Sequence, residues 1–79
     1  MKTTLMKEYT YKIVDKYVFI KQVYFDYTNE KVYFNLLVYT KEYQSDMDYL
    51  LDYMDPIRFN EVAEQTIKNF LSKRKIFNY

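Results

Sequence analysis

The chain has 79 residues, 49% of them hydrophobic and including eleven tyrosines and six phenylalanines, which makes it one small, ordered domain near the lower size limit for folding alone. Twelve basic residues against eleven acidic ones leave a net charge of +1, so nothing draws the chain as a whole toward nucleic acid or anionic lipid. Cys, His and Gly are absent, which excludes disulfides and thiolate chemistry, the commonest general base and metal ligand, and Gly-rich phosphate loops.

Residues 8 to 40 are rich in Tyr, Val, Phe, Ile and Thr, which suit a pleated, half-buried surface. A first strand is predicted over about 7–14, where Tyr9, Tyr11 and Ile13 alternate with Thr10 and Lys12. Asp15-Lys16 forms a tight turn. A second strand covers about 17–27, and Thr28-Asn29-Glu30-Lys31 turns next, with Asn29 able to take left-handed geometry. A third strand covers about 31–40, and connections this short imply an antiparallel meander. Pairing Tyr27 with Val32 sets Phe25 against Phe34 and Val23 against Leu36, but brings Lys21 onto the apolar face. A β-bulge at Lys21-Gln22 repairs this; the alternative is a regular strand with Lys21 snorkelling at the edge. With the bulge, one face holds Tyr9, Tyr11, Ile13, Val18, Ile20, Val23, Phe25, Val32, Phe34, Leu36 and Val38. The other holds Tyr17, Phe19, Tyr24, Tyr33, Leu37 and Tyr39.

From Ser45 the spacing becomes helical. Ser45 with Asp48 resembles a capping box, and Met47, Leu50, Leu51 and Met54 follow at helical intervals, predicting a helix over about 46–54. Pro56 disfavours a helical Asp55. Asp55 as N-cap and Pro56 as first helical residue then open a second helix over about 56–75, with the stripe Phe59, Val62, Ala63, Thr66, Ile67, Phe70 and Leu71. The expected fold class is α+β: a three-stranded meander with two helices on one sheet face.

Three clusters invite chemistry. Glu42, Asp46, Asp48, Asp52 and Asp55 form an acidic group, and Asp48 and Asp52 would share a helix face. It lacks the glycine of a calcium loop and reads as a solvated face, so no metal and no cofactor is expected. Lys68, Lys73, Arg74 and Lys75, followed by Phe77 and Tyr79, could grip single-stranded nucleic acid, but cations at a helix C-terminus are also ordinary. The tyrosines exceed what so small a core needs. Phe19, Tyr24, Tyr33, Leu37 and Tyr39 are the expected protein-contact residues, on the sheet face the helices leave open. Ser45, Ser72 and the threonines have no histidine to activate them, so no catalytic residue is assigned. No apolar run spans a membrane, no signal peptide is expected after Met1-Lys2, and lack of cysteine points to the cytoplasm.

In its Tyr-rich meander from Tyr9 to Tyr39 and its Lys73-Arg74-Lys75 tail, the chain resembles the small, Gly-poor, Tyr- and Lys-rich early proteins of large lytic phages of Gram-positive bacteria. The resemblance covers the whole chain and rests on composition and size, so it transfers no functional residue. It implies a host-takeover protein of the host cytoplasm, one that binds and disables a host protein of division, replication, transcription or defence. Many such proteins are acidic DNA mimics; the near-neutral charge sets this chain apart from them. The expected function is therefore a non-enzymatic protein-binding module. A small nucleic-acid binder using Lys68, Lys73, Arg74 and Lys75, and a structural homodimer closed through the same sheet face, are the alternatives.

Overall fold

The structure, a computed structural model, describes residues 2–76, the side chains of 44–46 excepted. It has four strands and one helix: β1 Thr3–Val14, β2 Tyr17–Asp26, β3 Lys31–Thr40, β4 Tyr43–Met54 and α1 Pro56–Lys73. The strands form one antiparallel sheet in the order β1-β2-β3-β4.

This overturns the expected three strands and two helices. Residues 46–54, expected to be helical with Ser45 and Asp48 as a capping box, lie within β4. Their apolar spacing imitates a helix because β4 is irregular. Its pairing with β3 shifts register between Phe34 and Leu36, between Leu36 and Leu37, and between Val38 and Thr40. Each shift inserts unpaired residues, so Leu50 and Leu51 both reach the core while Tyr49 stands opposite Leu37 on the other face. The apolar period then departs from two. Pairing also covers an edge of β3 that would otherwise be left open beside the buried run Asn35–Val38.

β2 and β3 pair without interruption from Tyr17↔Thr40 to Asp26↔Lys31, so the bulge expected at Lys21-Gln22 is absent. The bulges lie in β1 instead, between Leu5 and Lys7 and between Thr10 and Lys12. Lys21 stays on the helix side, where its Nζ stands 3.9 Å from the Phe34 ring centroid, 4.9 Å from that of Phe59 and 5.7 Å from that of Tyr9. Aromatic faces accept the charge that the expected bulge was meant to move away. With β2 regular, Tyr17 and Phe19 face the helix and Val18 and Ile20 face away, the reverse of the expected assignment; the β1 bulge also turns Ile13 away, opposite Val18. Phe25 pairs with Val32 and Val23 with Phe34, two residues from the expected register, which leaves their face unchanged.

The loop after β2 sets that register. The buried Asp26 carboxylate accepts from the Thr28 and Asn29 amides at 2.9 and 3.3 Å and from Asn29 Nδ2 at 2.9 Å. Asn29 is thus held by its side chain, and Glu30, not Asn29, takes the left-handed conformation with φ 53°. Burial alone would raise the Asp26 carboxyl, but the hydrogen bonds from Asn29 and Thr28 outweigh it and hold the group below its usual range.

α1 begins as its residues require. Asp55 Oδ1 accepts from the Ile57 amide at 2.8 Å and Pro56 occupies the first turn. Phe59, Ala63, Ile67 and Leu71, four apart, are buried against the sheet. Phe59 meets Tyr11 and Phe34 edge-on at 5.8 and 5.2 Å, and Phe70 meets Tyr17 and Phe19 at 5.1 and 5.7 Å. At the C-terminal end Ile76 N donates to Leu71 O and Lys75 N to Ser72 O, a Schellman closure with Lys75 at φ 59° and Ile76 packed against the core.

Candidate functional site

Among the described residues no element covers the sheet face opposite α1. Its pairing arranges that face in rungs. Ile13, Val18 and Tyr39 make one, and Thr10, Ile20, Leu37 and Tyr49 the next. Then come Glu8, Gln22 and Asn35, and beyond them Leu5, Tyr24 and Tyr33. The two apolar rungs bury Val18, Ile20 and Leu37. Ile13 at 54%, Tyr49 at 58% and Met47 at 39% exposure stand around them, and Leu5 at 43% lies beyond the polar rung. A cleft of about 330 Å³ lies here, walled by Glu8, Tyr9 and Thr10 of β1 and Met47 of β4, with Ile20 and Tyr39 between.

The middle rung is a hydrogen-bonded chain across all four strands. Gln22 Nε2 donates to Glu8 Oε1 at 2.8 Å, Asn35 Nδ2 to Gln22 Oε1 at 3.3 Å, and the Tyr53 amide to Asn35 Oδ1 at 2.6 Å. Gln22 and Asn35 are buried, and among the described residues no buried side-chain nitrogen or oxygen lacks a partner. The last of these bonds meets β4 where Tyr53 holds a left-handed φ of 51°, a strained conformation for a residue with a Cβ. There the Tyr53 ring lies over the open face, 5.6 Å from Tyr24 and 6.1 Å from Tyr33, and its hydroxyl is 3.4 Å from Thr3 Oγ1 of β1. Burial pushes the Tyr24 hydroxyl up from its ordinary value, and Tyr49, Tyr53, Glu8 and Asp52 act in the same direction.

The expected contact residues divide. Phe19 lies under α1, wholly buried, and cannot touch a partner; Leu37 is on the open face but equally buried. Tyr24, Tyr33 and Tyr39 are half-buried on the open face. Ile13, Met47, Tyr49 and Tyr53 escaped the sequence reading. The tyrosines at 43, 49 and 53 were the available signal, being better suited to a strand than a helix.

The basic cluster is partly committed elsewhere. The Arg74 guanidinium lies 3.6 Å from the Phe70 ring centroid and donates to Phe70 O at 3.1 Å, while Lys68, Lys73 and Lys75 are exposed. Asp48 lines the same cleft as Lys73 and Arg74. Phe77 and Tyr79 lie outside the described residues, as does the Asp46 side chain. Asp48 and Asp52 are strand residues, so they do not share a helix face as expected. Among the described residues no three acidic side chains gather to hold a metal ion. No described helix is long and apolar enough to cross a membrane. Comparison with known protein families, curated proteins and solved structures finds no match to this chain.

Proposed function

We propose that the protein is a non-catalytic binding module that docks another protein on the open face of its sheet. The observation that carries this is the exposure of Ile13, Met47 and Tyr49 beside the buried Val18, Ile20 and Leu37, with Met47 also walling a cleft, on a face that no described element covers. Isolated exposed apolar residues are ordinary, but a contiguous set over a rigid floor is what a partner can bury. The floor here is held by the amide chain, so little conformational freedom would be lost on binding. A host protein disabled by occupation of its surface is the partner this composition suggests. Nothing favours the nucleic-acid reading over this one, since Arg74 is stacked on Phe70 and an acidic residue, Asp48, lines the cleft it shares with Lys73.

The test compares the proteins retained from host extract by the parent, by the Ile13→Ser/Tyr49→Ser pair, and by a Lys68→Glu/Lys73→Glu/Lys75→Glu control. The expected result is a partner held by parent and control and lost by the open-face pair. Retention at the parental level by that pair would sink the assignment, and loss in the control alone would move the contact to the basic end of α1.

A further inference from the structure

Charge is segregated across this sheet. Three of the four lysines within its strands, Lys7, Lys12 and Lys21, lie on the helix side by register; the fourth, Lys31, stands at the end of β3 on the open side. Lys12 Nζ is 2.6 Å from Glu64 Oε2, Lys7 Nζ lies 5.1 Å from the Tyr9 ring, and Lys21 is stacked among Phe34, Phe59 and Tyr9. The open face has the opposite character. Its middle rung ends in Glu8, which spends Oε1 on Gln22 and remains exposed. Its next rung is Tyr24 and Tyr33 under Tyr53, with Asp52 beside Tyr53 in β4. The cation nearest by register, Lys31, stands one rung further out, opposite Asp26.

Aromatic rings flanked by carboxylates, with most of the sheet's own cations on the far side, are the chemistry that recognises an ammonium or guanidinium group. We infer that the occupant of the open face is a basic segment of the partner protein, seating a Lys or Arg side chain against Tyr24, Tyr33 and Tyr53 with Glu8 and Asp52 as counter-charges. This rests on the docking assignment and specifies its partner's chemistry. The near-neutral chain offers a polycation no general attraction, so binding of one would be local.

The test is an amide-resolved NMR titration of the full chain at low salt with a blocked tetra-arginine peptide, with tetra-glutamate as control. Saturable shifts are expected at Gln22–Tyr24, Tyr33–Asn35 and Tyr53 with the arginine peptide alone. Glu8→Gln/Asp52→Asn, which keeps side-chain shape and an acceptor for Gln22, should raise the Kd about fivefold while leaving the free spectrum folded. No saturable shift, shifts centred on Glu61 and Glu64 of α1, or an unchanged Kd in the variant would overturn the inference. If the partner is lost with Ile13→Ser/Tyr49→Ser but tetra-arginine does not bind, docking stands and its basic occupant does not. Sedimentation of the same samples tests the competing occupant: a dimer dissociated by those two substitutions would place a second copy on the face and remove the basic segment.

Discussion

Beneath the helix, Phe19, Leu36, Phe59 and Leu71 are wholly removed from water and packed edge-to-face or side by side; on the opposite face two buried amides, Gln22 and Asn35, are linked by directional bonds from Glu8 to Tyr53. On the first face the Phe34 and Phe59 rings receive Lys21 by cation–π contact. An amide chain has only one good geometry, so the second face fixes which residues stand opposite one another. The first holds most of the buried apolar side chains and the second ties its strands together by directional bonds, with exposed rings and aliphatic groups around them.

The largest expected difference between the faces comes from Phe59→Ala, which empties the site between Tyr11, Phe34 and Lys21 and should cost about 3–5 kcal/mol in urea unfolding. Asn35→Ala should cost less, about 1–3 kcal/mol, by stranding the Tyr53 amide and one Gln22 acceptor. An Asn35→Ala loss equal to that of Phe59→Ala would make the open face a second core; no loss would reduce the amide chain to ornament.

Acid and base probe the contacts between β1 and α1. Glu64 is held below the usual carboxylate range first by the hydrogen bond from Lys12 and also by that from Tyr11. A lowered folded value means stability present above about pH 4.5 and lost as pH falls through the folded value. Burial, then the hydrogen bond to Glu64, pushes Tyr11 up to about 12. A raised value means stability present below about pH 10 and lost as pH rises toward 12. Glu64→Gln should therefore flatten both ends of the stability profile measured by pH-dependent urea unfolding. Unchanged ends would mean the Lys12–Glu64–Tyr11 contact does not hold the helix. The smallest effect on stability belongs to Tyr49→Ser, within about 0.5 kcal/mol, although it belongs to the pair expected to abolish partner retention. A larger loss would make Tyr49 a packing residue and narrow the exposed set to Ile13 and Met47.

Local chemistry made part of this molecule legible. Asp55 and Pro56 announce the start of α1 because a cap and a pre-set φ act within a few residues, and the turn at Asp15-Lys16 follows from flanking apolar alternation. Tyr24, Tyr33 and Tyr39 could be placed on one face because alternation along a regular strand is a local property. Phe19 could not, since its side depends on whether a bulge falls in β2 or β1, and Lys21 favoured the wrong strand until the rings that receive it were in view.

What the amino-acid order determined by itself is the capped helix from Pro56 with its buried stripe Phe59, Ala63, Ile67 and Leu71, and the chemistries the chain lacks for want of Cys, His and Gly. Only the tertiary structure decided that residues 43–54 pair as a bulged edge strand, that Phe19 lies under the helix, and that Glu8, Gln22, Asn35 and Tyr53 form one chain across the sheet. The physical reason is that propensity and periodicity act over one or two turns of chain. Strand choice, bulge position and hydrogen bonding between distant strands are settled by which pairings bury the apolar groups and satisfy the buried amides together.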